Sequence, residues 1–138
     1  MEITQKDQIT EEYYDTVSEI LYQHNLKHTQ EIDSINKPLE IIIHHNEKVA
    51  GGLYGRSIWG TLEIQKLAVS EAYKNKGLGK QLVHAAIEEA RVRNCTYISL
   101  NTFSFQAPEF YEKLGFEKIG TEHDFPKGFE KYYYRKTL

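Results

Sequence analysis

The 138-residue sequence predicts an α/β (α+β) fold: one domain, residues 1–138, on a mixed central sheet of about six to seven strands with helices on both faces. Three observations carry this expectation. Apolar, β-branched segments crowd between residues 38 and 69, spaced as an antiparallel meander. An apolar stripe of helical period occupies 78–93. Strand-like segments then return, and a strand–helix–strand step of this kind closes as a right-handed crossover between parallel strands.

Taken in order, residues 10–28 read as a helix, with Tyr13, Val17, Ile20 and Leu21 at helical spacing and Thr10 as its cap. Residues 1–4 are expected to form a short first strand. Pro38 precedes LEIIIHH, a strand at 39–45, and residues 44–48 read as a turn. The next strand, 49–58, is interrupted by Gly51, Gly52 and Gly55, where a bulge or a close backbone approach is expected. Trp59-Gly60 turns into a third strand at 61–69. Leu78, Leu82, Val83, Ala86, Ile87 and Ala90 make the stripe of the 78–93 helix, which Asn94 ends. A strand at 96–102 follows. Pro108 opens a short helix carrying Phe110, Tyr111 and Leu114, with Gly115 as its C-terminal cap. Strands at 116–121 and 129–137 flank the turn Pro126-Lys127-Gly128.

Composition narrows the function classes. Hydrophobic residues make up 40% and charged residues 27%, which suits a globular chain and excludes a disordered one. No apolar run reaches the roughly 18 residues of a membrane span. The opening MEITQKDQITEEYY lacks a signal peptide's apolar core, so a cytoplasmic location is expected. Cys95 is the only cysteine, which excludes an intrachain disulfide and a Cys-based metal site. Lys and Arg number 17 against 20 Asp and Glu, a formal net charge of −3. That balance argues against general nucleic-acid binding and is compatible with a cationic small substrate.

The segment richest in chemistry is Lys74-Asn75-Lys76-Gly77-Leu78-Gly79, between a strand and a helix. Two glycines one residue apart let the backbone approach a ligand. The helix start offers unpaired N–H groups and the positive end of the dipole, which suit a phosphate or pyrophosphate. Lys74, Lys76 and Lys80 add charge. Local sequence alone reads equally as a tight turn. A Rossmann loop is excluded because its third glycine would fall at Leu82, and a P-loop because no Gly-Lys-Ser/Thr follows.

LAVSEAYKNKGLGKQLVHAAIEEA resembles the acetyl-CoA-binding segment of the GNAT superfamily of N-acetyltransferases, whose signature is Gln/Arg-x-x-Gly-x-Gly/Ala. Here it is Lys74-x-x-Gly77-x-Gly79, so the first position departs to Lys. QAPEFYEKLGFEKIG is similar to the family's second block, a Tyr-bearing helix running into Leu-Gly-Phe; the residues are Tyr111 and Leu114-Gly115-Phe116. The resemblance covers roughly residues 47–122.

That resemblance implies an N-acetyltransferase using acetyl-CoA as cosubstrate, with no metal. Leu67, Ala68 and Val69 are implied to pair with the pantetheine arm through main-chain groups. The amides of Lys74, Asn75, Lys76, Gly77, Leu78 and Gly79, with Lys80, are implied to hold the pyrophosphate. Tyr111 is implied to protonate the leaving thiolate. Ser104 stands where the family often has an Asn, with Gln106 or Asn101 as substitutes. Glu63 lies where histone-acetylating members carry a base, and strand alternation is expected to put 63, 65, 67 and 69 on one face. A plain solvent-facing Glu is the competing reading.

The acceptor is expected to be a cationic small molecule or peptide amine. Its cleft is expected to draw on the first helix, on Tyr54 and Trp59, and on the loop 121–129. Glu11, Glu12, Asp15, Glu19, Glu31, Asp33, Glu122 and Asp124 would make it electronegative. His24 and His28 share a helix face without the acid of a metalloprotease motif and read as surface or cleft residues. Tyr132-Tyr133-Tyr134 cannot make a three-sided cage, since alternation turns Tyr133 away. The family also implies a homodimer through C-terminal strands. Two rival readings remain: a non-catalytic acyl-CoA-binding module, and a toxin-like enzyme acting on charged tRNA, which the lack of a basic stripe disfavours.

Overall fold

The computed structural model describes residues 1–30, 32 and 35–138. The chain divides into two compact units, Met1–Ser34 and Ile35–Leu138.

The first unit is built on α1 (Glu11–Thr29). Thr10 takes extended backbone angles, and its carbonyl accepts the Tyr14 N–H at 2.9 Å. Glu11 and Glu12 open the helix, while Lys27 lies in its last turn, each charge opposing the nearby end of the dipole. The strand expected at residues 1–4 does not form. Met-Glu-Ile-Thr is short for a strand and gains nothing without a neighbouring edge to pair with. Glu31 and Asp33, two of the acids expected around an acceptor, lie outside the described residues.

The second unit is a six-stranded sheet in the order β1-β2-β3-β4-β6-β5. Its strands are β1 (Lys37–His45), β2 (Lys48–Ile58), β3 (Thr61–Val69), β4 (Tyr97–Phe103), β5 (Glu117–His123) and β6 (Glu130–Thr137). Only the β3–β4 pair is parallel, which makes the sheet mixed as expected. The turn expected at 44–48 is tighter: Asn46 and Glu47 both adopt positive φ, 49° and 63°, so two residues complete the hairpin. Trp59-Gly60, at φ 52° and 75°, does the same between β2 and β3.

The crossover from β3 to β4 runs through a 3-10 turn at Glu71–Tyr73 and α2 (Leu78–Val92). The α2 stripe Leu82, Val83, Ala86, Ile87 and Ala90 is buried against Leu53, Leu62, Ile64, Ile98 and Leu100 of the sheet. Each large aliphatic side chain removed from water there contributes about 1.5–3 kcal/mol. Arg93 fastens the end of α2 to the first hairpin. It donates to the Lys37 and Pro38 carbonyls at 2.9 and 3.0 Å and to Ser57 Oγ at 3.1 Å. The short α3 (Pro108–Lys113) packs on the same sheet face, where Tyr111 meets the rings of Phe116 and Tyr134.

Two irregularities shape this sheet. In β3 the register against β2 shifts, so that Tyr54 faces Lys66 while Gly55 faces Ile64, and Gln65 is the extra residue of a bulge. Leu62 and Ile64 point to the core before it, and Leu67 and Val69 pack toward the core after it. Alternation therefore breaks: Glu63 and Leu67 lie on opposite faces, contrary to the expectation for 63, 65, 67 and 69. Second, β3 and β4 pair only from Thr61 with Tyr97 to Ile64 with Leu100. Beyond that point the strands separate.

Candidate active site

The separation of β3 from β4 opens a cavity of about 720 Å³. Residues 64–68 form one wall and 100–103 the other, with Gln106, Ala107, Phe110 and Tyr111 closing it from the α3 side. The bulge and the gap are linked. Gly55 gives the bulge its room, because a Cβ there would run into the Glu63 carbonyl oxygen. A second lobe of about 570 Å³ shares Leu67, Ala68, Lys74, Ala107 and Phe110 with the first and continues to Gly77, Leu78, Gly79 and Lys80. One groove thus runs from the 74–80 loop to Tyr111.

At its outer end the loop offers amides. Asn75 and Gly77 take positive φ, 61° and 76°, and Gly77 caps α2 without a side-chain bond. The first intrahelical bond is donated by Gln81 to the Gly77 carbonyl at 3.1 Å. Among the described residues, the N–H groups of residues 75–80 find no main-chain acceptor. Those of residues 77–80 are the orphan donors of a helix start, gathered where the dipole is positive, and those of Asn75 and Lys76 lie just ahead of it. The Lys74 amide is different: it closes the 3-10 turn on the Glu71 carbonyl at 3.4 Å, and its ammonium pairs with Glu71 at 2.8 Å. Gly79 is needed for closeness, since a Cβ would lie 3.3 Å from the Phe110 ring across the groove. Lys76 stands outside the lining, its ammonium 5.6 Å from the Tyr73 ring centroid.

At its inner end Tyr111 is held by rings on three sides, with centroids at 5.0 Å to Phe110, 5.9 Å to Phe116 and 6.4 Å to Tyr134. Burial pushes its phenol above the usual tyrosine range. Behind it, Tyr134 donates to Glu112 at 2.8 Å and is raised by its burial and by that carboxylate. Leu67, Ala68 and Val69 line the groove along β3, on the side where no strand pairs with them.

Ser104 and Glu63, like Lys76, stand apart from the cavity lining. Ser104 Oγ accepts the Glu130 N–H at 3.0 Å, tying the end of β4 to β6. Gln106 and Asn101 do line the cavity. Gln106 Oε1 accepts from Thr102 Oγ1 at 2.9 Å and from the Phe103 N–H at 3.0 Å, which leaves its amide NH2 as a donor. Glu63, on the face away from α2, accepts from Arg56 at 3.4 Å with both side chains half-exposed. On that same face Tyr54 lies opposite Glu40, whose hydrogen bond and charge raise its pKa.

In the 121–129 loop both expected acids are engaged: Glu122 accepts from Tyr133, and Asp124 from the Gly128 N–H at 3.1 Å. Sequence reading passed over a cluster there. Phe103 and Phe105 come together with Phe125 and Phe129. The only linear signal was Phe103-Ser104-Phe105, and the partners lie some twenty residues on.

Comparison with known proteins agrees with this architecture. The model of the acetyltransferase (GNAT) family matches residues 6–116, and the chain belongs to that family of enzymes. It is 32% identical over 109 residues to the blasticidin-S acetyltransferase of Streptomyces morookaense, covering 74% of this chain and 79% of that protein. An acetyltransferase of Agrobacterium fabrum is 38% identical over 90 residues; the match covers 64% of this chain and 66% of the relative, just under two thirds of its length. The crystal structure of an acetyltransferase from Bacillus cereus superposes with a TM-score of 0.87 at 31% identity, over 98% of both chains.

Proposed function

We propose that the protein transfers the acetyl group of acetyl-CoA to a primary amine of a small molecule or peptide by direct attack in a ternary complex. The observation that carries this reading is the gap between β3 and β4, continuous with the free amides of residues 75–80 and closed by Tyr111. The groove fits the parts of acetyl-CoA in order. Amides of Asn75, Lys76, Gly77, Leu78, Gly79 and Lys80 hold an anionic diphosphate. The open main-chain edge of Leu67, Ala68 and Val69 takes an amide-bearing arm as an added strand would be taken. Gln106 and Asn101, rather than Ser104, supply side-chain contacts to that arm.

The thioester supplies an activated acyl group, and the chain supplies orientation and proton handling. Tyr111 Oη keeps its proton across the physiological range and donates it to the departing sulfur. Burial raises both partners, since a thiolate in an apolar pocket is also a stronger base, so the transfer stays matched. Glu63 receives the amine proton through water, with Arg56 fixing its carboxylate. The 32% identical relative is named a blasticidin-S acetyltransferase, which supports the acetyl-transfer reading. β5 is one of the two edge strands of the sheet, the one at its C-terminal end, and the strand through which a homodimer would pair.

The test is release of free thiol from acetyl-CoA with a panel of primary amines. Amine-dependent release is expected. Tight acetyl-CoA binding with no release from any amine would favour the acyl-CoA-binding module instead.

A further inference from the structure

Four phenylalanines gather at the end of β4. Phe103 stacks nearly parallel to Phe105, at 5.4 Å and 12°, and to Phe125, at 5.9 Å and 11°. Phe129 meets Phe105 edge-on at 5.1 Å and 79°. Three of these rings stay open to solvent: Phe105 at 55%, Phe125 at 46% and Phe129 at 43%. The two segments that bring them together are tied by backbone and by the Ser104 hydroxyl. Ser104 and Glu130 exchange hydrogen bonds at 2.9 and 3.0 Å, and the Phe125 N–H donates to the Phe129 carbonyl at 3.2 Å. A fixed patch of exposed rings costs free energy in water unless something covers it.

We infer that this patch binds the acceptor, and that the acceptor is an amine carrying a flat aromatic or heteroaromatic ring. The inference rests on the acetyl-transfer reading above and names its substrate class. Position argues for it: Phe103 belongs both to the patch and to the lining of the cavity that Tyr111 closes. A ring laid on Phe105 and Phe125 therefore sits one side chain away from the transfer cavity, with its amine free to enter. Geometry agrees, because parallel rings present the flat faces that offset stacking needs. Charge argues against the main competitor, an aliphatic polycation. Lys131 holds its ammonium 4.7 Å from the Phe125 ring centroid and 5.3 Å from that of Tyr133, so a fixed positive charge already stands beside the patch. The nearby acids Glu122 and Asp124 are committed to Tyr133 and Gly128.

The experiment has two arms. In the first, 2-phenylethylamine and tryptamine are compared with n-butylamine and putrescine as acceptors by thiol release. The ring-bearing amines are expected to show kcat/KM higher by about tenfold, the range of one aromatic pair plus the area it buries. The F105A/F125A double variant should collapse that preference toward parity, through KM rather than kcat, and F105Y/F125Y should restore it. Equal or better use of the ringless amines, or an unchanged preference in the double variant, overturns the inference. In the second arm, 2-phenylethylamine is titrated calorimetrically into protein saturated with CoA. Saturable binding that the double variant loses supports the inference without any turnover; no saturable binding overturns it. Binding retained without thiol release in the first arm strikes the transfer reading alone.

Discussion

Tyr111 shows how a side chain acquires a role from its surroundings. Three rings hold it and burial raises its pKa, so its hydroxyl stays a donor where an exposed tyrosine would begin to ionise. Tyr111→Phe keeps the ring packing and removes only the acid. We expect kcat to fall by about 10²-fold, the lower range for general acid catalysis, with the Kd for acetyl-CoA unchanged by calorimetry. A variant with full kcat would remove Tyr111 from proton transfer. Its neighbour Tyr134 is raised as well, and here the consequence is stability. A group whose folded pKa exceeds its unfolded value contributes below the unfolded pKa, about 10 for tyrosine, and its contribution is lost as pH rises toward the folded value. Thermal midpoints of the wild type should therefore fall as pH climbs above about 10. Tyr134→Phe should fall less steeply there, yet be less stable by about 0.5–1.5 kcal/mol at pH 7, because the exposed Glu112 carboxylate exchanges the Tyr134 hydroxyl for water. Glu63 is tested by Glu63→Gln: kcat should drop, whereas an unchanged kcat leaves Glu63 only its ion pair with Arg56.

The elements were legible where their cause is local. The stripe of α2, the Pro-opened α3 and the glycine loop each announce themselves within a few residues, and the strand boundaries fall within two residues of expectation. The bulge in β3 did not, because Glu63-Ile64-Gln65-Lys66-Leu67 alternates well enough to read as an unbroken strand. Its cause sits on the opposite strand, at Gly55, and only pairing brings them together. The phenylalanine patch escaped for the same reason, its two halves meeting only through tertiary structure. Ser104 misled because a family position was carried over without its partner, Glu130. Glycine substitutions separate these causes. Gly55→Ala must push the Glu63 carbonyl aside, so we expect a loss of about 1–3 kcal/mol, read as a lower denaturant midpoint, together with weaker acetyl-CoA binding as the gap reshapes. Gly79→Ala has backbone angles any residue can adopt, and its Cβ meets the flexible rim of the Phe110 ring. Its stability should hold while KM for acetyl-CoA rises severalfold. Gly77→Ala reverses that order: there is open space for its Cβ, but a φ of 76° strains it, so about 1–2 kcal/mol of stability should be lost.

Over the whole chain the net charge is −3, and yet the groove is read as taking a polyanion. The two are compatible because exposed charges act over a Debye length, about 8 Å at 0.15 M salt, so a ligand at the loop responds to the lysines beside it and not to the total. The lysines differ in what they have left to offer. Lys74 is neutralised by Glu71 at 2.8 Å, whereas Lys76 and Lys80 have no ion pair among the described residues. Association with acetyl-CoA should therefore slow with added salt, kcat/KM falling about threefold to tenfold between 20 and 500 mM at fixed amine. K76A/K80A should start lower and flatten that dependence, while Lys74→Ala should retain most of the wild-type slope. A wild-type slope retained in both variants would mean that these lysines do not set the field, and that the loop's affinity for anions comes from its backbone amides.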